Sequence, residues 1–143
     1  MKDSFQIFPV GIIIKQSKNS VIKIYDKYIN ALLGLDQFSH IQVFYWFHKN
    51  DTSSKRNILR VHPRGKESNP ITGVFATHSS VRPNLIAFST CKILSIEENF
   101  IKVDTIDAFD ETPVIDIKAY IPPGYSKEEI ITPDWVGRGL RCS

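Results

Sequence analysis

The sequence predicts an all-β protein, a barrel or a sandwich. Short runs rich in β-branched and aromatic residues recur along the chain, about seven or eight of them, and turn residues divide them. Helix signals are confined to two short stretches near 26–33 and 126–129. The run Ile41-Gln42-Val43-Phe44-Tyr45-Trp46-Phe47 is β-branched and aromatic almost throughout, as expected of a central strand with both faces covered.

The elements follow in order. Phe5 to Lys15 reads as a first strand in which Gly11 permits a bulge or a close backbone approach. The polar turn Gln16–Ser20 leads into a strand over Val21–Tyr25. Asp26 to Leu33 reads as a short helix or helical turn with Gly34 as its stop. After the central strand, Ile58–His62 reads as a strand and 63–69 as a loop. Gly73–Ser89 sets the apolar runs Val74–Ala76 and Leu85–Phe88 on either side of a polar bend, which Pro83 stiffens. Leu85–Ser95 and Phe100–Ile106 form a hairpin around Glu97-Glu98-Asn99, and Val114–Ile121 is the last strand. Ser126-Lys127-Glu128-Glu129 carries a capping-box pattern, ahead of Pro133.

The 143 residues fit one domain with no repeat, linker or low-complexity segment. No run of about 20 apolar residues is present, so no membrane span is expected. The first residues lack a signal-peptide pattern, because Pro9 and Gly11 break the apolar run. Together these suggest a cytoplasmic chain. Cys91 and Cys142 are too few for a framework or a metal set and read as reduced thiols, with a mutual disulfide as the alternative. The net charge of +3 is too small to argue for nucleic acid by itself. Its distribution says more: Lys55, Arg56, Arg60, His62, Arg64 and Lys66 cluster with no acid among them, while Asp104, Asp107, Asp110, Glu111 and Asp116 gather later. The first group could meet phosphate and the second a cation, or both could be solvated loops.

Common sites are absent. The chain has no phosphate-binding glycine loop, no dinucleotide fingerprint, no nucleophile elbow and no paired histidine spacing, so no metal is expected. The polar bend concentrates Thr77, His78, Ser79, Ser80, Arg82 and Asn84 between apolar flanks, where a scaffold can hold a site or simply a satisfied turn. In the last strand, alternation puts Asp116, Lys118 and Tyr120 on one face together with Val114, and Ile115, Ile117, Ala119 and Ile121 on the core face. Lys118 lies about 7 Å along the strand from Asp116 and is placed to pair with it.

Three blocks in order make the chain resemble the TsaA-like family, whose members include the TrmO-type tRNA adenine-N6 methyltransferases. They are Leu33-Gly34-Leu35-Asp36-Gln37-Phe38-Ser39-His40, then Gly73–Ser79 with Arg82-Pro83-Asn84, and finally Asp110–Tyr120. The resemblance begins at Pro9-Val10-Gly11 and runs to about Pro122. It implies one domain with its core over about 5–122 and a C-terminal tail over 123–143. The implied fold is a compact single-sheet β-barrel with one or two short helical segments, working as a homodimer. The implied cofactor is S-adenosyl-L-methionine. The implied reaction is methylation of N6 of threonylcarbamoyladenosine in the tRNA anticodon loop.

Carried over position by position, His48, Lys49, His78, Asp107, Ala108, Phe109 and Asp110 are the expected cofactor contacts. His78 stands where the family has arginine, Glu111 where it has glycine, and Ala119 where it has proline. His78 and Asp116 are the catalytic candidates. Arg82, Asn84, Lys118 and Tyr120 are candidates for positioning the loop or the substrate, and Arg60, Arg64 and Lys66 for RNA phosphate. Two alternatives share the fold: an S-adenosylmethionine-binding protein acting on a small molecule or another RNA, and a binding module without chemistry.

Overall fold

The structure, a computed structural model, describes residues 3–137. Six strands close an antiparallel barrel, namely β1 (Gly11–Lys15), β2 (Ser20–Ile24), β3 (His40–Trp46), β6 (Ile86–Glu97), β7 (Phe100–Val103) and β8 (Pro113–Ala119). Their order around the barrel is β1-β2-β7-β6-β3-β8. Two further strands, β4 (Arg60–Val61) and β5 (Thr72–Gly73), form a separate ribbon.

Alternation fills the interior. Ile13 of β1, Ile22 of β2, Ile41 and Val43 of β3, Ile101 and Val103 of β7 and Val114 of β8 are all fully buried. Each such side chain contributes roughly 1.5–3 kcal/mol through burial. β3 is central, pairing with both β6 and β8, but only one of its faces is buried. The outer residues Gln42, Phe44 and Trp46 remain half-exposed, because a closed barrel covers its inner face alone.

Several elements are shorter than their sequence patterns. β1 starts at Gly11, and Phe5–Pro9 lie exposed outside the ladder, since Pro9 has no N–H to pair. β7 stops at Val103 because the Asp104 carboxylate accepts from the amides of Lys92 (3.1 Å) and Thr105 (2.8 Å) in place of a ladder partner. Ile58–His62 yields only β4. Of the run 74–76, only Val74 is buried, while Phe75 is 82% exposed. Asp26–Leu32 forms a 3-10 helix, and Gly34 ends the segment at φ 86°. The capping box at Ser126 and Glu129 is present and caps one 3-10 turn. Thr52 caps a short helix α1 (Ser53–Arg56), which has no counterpart in the sequence reading.

A bulge changes the reading of β8. Phe44 pairs with Asp116 and Tyr45 with Val114, so Ile115 is an extra residue. The bulge turns Val114 into the core while Asp116 and Lys118 stay outside, so Val114 does not share their face. Lys118 and Asp116 form no ion pair. Among the described residues the only one is Arg56–Asp51 at 3.3 Å, and Asp116 instead accepts from the amide of Ile117.

Glycine is required where β1 meets β2. A Cβ on Gly11 would stand 2.4 Å from the Lys23 carbonyl oxygen. Glu111 takes φ 63° just before β8, and its amide donates to the Ile13 carbonyl at 2.8 Å. The left-handed region favours glycine over a residue with a side chain.

Candidate functional site

One end of the barrel carries a cavity of about 250 Å³ between the end of β3 and the loop joining β7 to β8. Tyr45, Trp46, Phe47, His48, Lys49 and Asn50 form one wall, and Asp107, Ala108, Phe109 and Thr112 the other, with Ser80 reaching in from the polar bend. The walls are held together by main-chain and side-chain bonds. The buried Tyr45 hydroxyl meets Ser89 Oγ at 3.0 Å and donates to the Asp107 carbonyl at 3.2 Å. Burial pushes this phenol above its ordinary value of 10.0, although the Ser89 hydrogen bond works against the rise; the charges of Asp107 and Cys91 add to it. The ring is therefore a neutral donor at physiological pH.

Thr112 joins the second wall to the first. Its hydroxyl donates to the Phe109 carbonyl at 2.7 Å, and its oxygen lies 3.4 Å from His48 Nδ1. Because the hydroxyl hydrogen is already committed, the oxygen is available to accept from Nδ1–H, in the tautomer whose Nε2 carries the lone pair. The Lys49 ammonium stands 3.9 Å from the centre of the Phe109 ring, so that ring face accommodates a cation.

The polar bend is braced from three sides. Arg82 Nη1 donates to the carbonyls of Thr77 (3.2 Å) and Ser79 (3.1 Å). Asn50 Nδ2 donates to the Ser80 carbonyl at 2.9 Å. Arg56 Nε donates to the Pro83 carbonyl at 2.8 Å, and its Nη2 approaches Asn84 Oδ1 at 3.5 Å.

Of the expected cofactor contacts, the fold gathers His48, Lys49, Asp107, Ala108 and Phe109 in the cavity. His78 and Asp110 are not among its lining residues. Asp110 accepts from the Lys15 amide at 2.8 Å, and His78 packs on the outer face with its ring 6.1 Å from Phe88. Asp116 lies on that outer face, paired with Phe44. Lys118 pairs with Gln42 and the Tyr120 amide with His40, towards the opposite end of β3. Arg60 is exposed on β4, Lys66 is exposed, and the Arg64 guanidinium donates to the Val136 carbonyl at 2.8 Å; none lines the cavity.

The lining residues not named as cofactor contacts are Tyr45, Trp46, Phe47, Asn50, Ser80 and Thr112, with Ser80 marked only as part of the polar bend. Inward alternation of the aromatic run could have found Tyr45, but Ser80 and Thr112 are brought in by loop paths with no local pattern. Arg138, Arg141 and Cys142 lie outside the described residues. Among those described, no group of three His, Cys, Asp or Glu could hold a metal, and no helix is long and apolar enough to cross a membrane.

The family model for the N-terminal domain of tRNA-methyltransferase O matches residues 3–124. The chain belongs to this family. A Methanocaldococcus jannaschii protein named a probable S-adenosyl-L-methionine-binding protein is 47% identical over 116 residues, covering 81% of this chain and 92% of that one. An S-adenosyl-L-methionine-binding protein of Archaeoglobus fulgidus is 43% identical over 103 residues, covering 72% and 70%. A human tRNA (adenine(37)-N6)-methyltransferase is 36% identical over 112 residues, 78% of this chain but 24% of the human one. A crystal structure of TrmO from Pseudomonas aeruginosa superposes with TM-score 0.64 at 26% identity, covering 83% of this chain and 57% of the other. A second TrmO crystal structure gives TM-score 0.69 at 23% identity, covering 93% and 62%. The family's barrel is thus the fold found here, and this chain spans about three fifths of those crystallised chains.

Proposed function

We propose that the cavity binds S-adenosyl-L-methionine and that the protein transfers its methyl group to N6 of an adenine in the tRNA anticodon loop. The threonylcarbamoyl-modified adenine is the proposed acceptor, and a homodimer the proposed working form. The observation that carries the reading is the meeting of His48, Lys49, Asp107, Ala108 and Phe109 in one cavity, on a chain whose relatives are named for S-adenosylmethionine binding or tRNA adenine methylation.

The lining suits such a ligand. Aromatic walls accept a nucleoside base, and the Asn50 amide, the Ser80 and Thr112 segments and the Asp107 carboxylate offer polar contacts. The Phe109 face suits a cation, as the nearby Lys49 ammonium illustrates. When bound, S-adenosylmethionine supplies an electrophilic methyl on a sulfonium. The protein's own task is then alignment and the removal of a proton. Alignment rests on the Tyr45–Asp107 bond, which ties the two walls, and on the Arg56–Pro83 bond, which holds the bend, both made before a ligand arrives. Adenine N6 must shed a proton, and we assign His48 Nε2 to accept it. His48 is preferred to His78 because it lines the cavity. Arg60, Arg64 and Lys66 remain the proposed phosphate contacts beyond the cavity.

Mass spectrometry of total tRNA from cells with and without the gene tests the reading. The expected result is loss of one N6-methylated adenosine species at the anticodon loop. An unchanged nucleoside profile, together with cofactor binding, would favour a binding module without this chemistry.

A further inference from the structure

The outer face of the barrel beside the cavity carries a row of aromatic rings. Phe44 of β3 and Phe88 of β6 are cross-strand partners, with ring centres 5.8 Å apart and planes 23° from parallel. On the other side of Phe44 the partner is Asp116 of β8, and beyond Phe88 the His78 ring packs 6.1 Å away. One step along β3, Trp46 shares this face and also lines the cavity. The Arg56 guanidinium lies 5.6 Å from the Trp46 ring. One step the other way lie Gln42, Thr90 and Lys118, paired across β3, β6 and β8.

Phe44 and Phe88 are half-exposed, and Ile86 beside Trp46 is 43% exposed. Cross-strand stacking alone stabilises a sheet modestly. It does not explain why Trp46, two residues along the same face of β3, extends the aromatic surface to the cavity. With the Arg56–Asp51 pair neutral as a unit, the remaining charges on the face are Lys92 and Lys118 against Asp116. Flat rings flanked by cations and amides suit unpaired nucleobases joined by phosphates. A stiff aromatic sheet needs no ordering before bases stack on it, and its polar flanks supply hydrogen bonds to base edges.

We propose that this outer face of β3, β6 and β8 is a stacking platform for single-stranded RNA, with Phe44 and Phe88 holding bases adjacent to the one delivered to the cavity. The proposal rests on the tRNA reading above and adds the surface that recognises the loop. Lys118 then contacts phosphate, and Gln42 and Thr90 face base edges.

The test uses the full chain, an anticodon stem-loop RNA carrying the threonylcarbamoyl-modified adenine, and fluorescence anisotropy across a salt series. Phe44→Thr and Phe88→Thr are each expected to weaken RNA binding about fivefold or more. Lys118→Glu is expected to weaken it and to make the salt slope shallower by about one. S-adenosylmethionine affinity, measured by calorimetry on the same variants, is expected to stay at the wild-type value, which also reports that they fold. RNA affinity within about twofold of wild type in all three variants would overturn the platform. Conversion from dimer to monomer by light scattering, with RNA affinity per protomer retained, would also overturn it and show a self-association face. Absence of RNA binding by the wild-type chain, with cofactor binding intact, removes the tRNA reading and the platform together.

Discussion

Tyr45 and Asp107 are 62 residues apart and are joined by one hydrogen bond of 3.2 Å from the phenol to the main-chain carbonyl. The same hydroxyl meets Ser89 Oγ at 3.0 Å, so one buried oxygen ties β3, β6 and the β7–β8 loop together. Tyr45→Phe keeps the ring and removes both bonds, leaving the 4% exposed Ser89 without this partner. The expected cost is about 1–3 kcal/mol, read as a lower urea midpoint at unchanged slope. Cofactor affinity should fall as well, because Asp107 loses its anchor.

Glu111 holds φ 63° at the entrance to β8. A side chain in this region costs roughly 1 kcal/mol that glycine avoids. Glu111→Gly should therefore stabilise the fold by about that amount and raise the melting temperature. Its amide bond to the Ile13 carbonyl is a main-chain contact and survives the change.

These two residues also show how far the sequence could be read. The barrel was legible because β-branched runs and alternation fix which face of a strand is apolar, and Gly11 was marked as a place of close approach. The cavity was half legible: His48, Lys49 and Asp107 to Phe109, which the family resemblance implies as contacts, line it. The remainder depends on backbone geometry that no local pattern encodes. The bulge at Ile115 moved Val114 inward, and the braced bend turned Ser80 towards the cavity and His78 outward. The capping box gave one 3-10 turn because Pro133 leaves only residues 127–132 for a helix.

Arg56 braces the bend from α1, donating to Pro83 and pairing with Asp51, whose other carboxylate oxygen accepts from Trp46 Nε1 at 3.0 Å. The exposed ion pair adds little by itself. The bond to Pro83 is the part that positions the bend. Arg56→Gln should accelerate amide exchange across residues 77–84 and lower cofactor affinity a few-fold. Stability should change little, since α1 buries no residue.

Burial, with a smaller contribution from the charge of Asp104, pushes the Cys91 thiol from its ordinary 9.0 up to about 12. The folded chain therefore keeps a proton that the unfolded chain releases above pH 9.0. Stability is fully present below that pH and declines as pH rises towards about 12. The raised Tyr45 phenol extends the decline above pH 10.0. Urea midpoints across this window should fall steeply for wild type. For Cys91→Ala they should start lower, because of the cavity left behind, and fall less between pH 9.0 and 10.0.

The most direct test of the central claim is a calorimetric titration of S-adenosylmethionine into the wild-type chain and into Ala108→Trp. Ala108 is half-buried in the cavity wall, and an indole there is expected to take up space the cavity now holds open. Wild type should bind, and the filled variant should lose about tenfold or more in affinity while retaining a cooperative thermal transition. Equal affinity in the two proteins would contradict the assignment of this cavity to the cofactor.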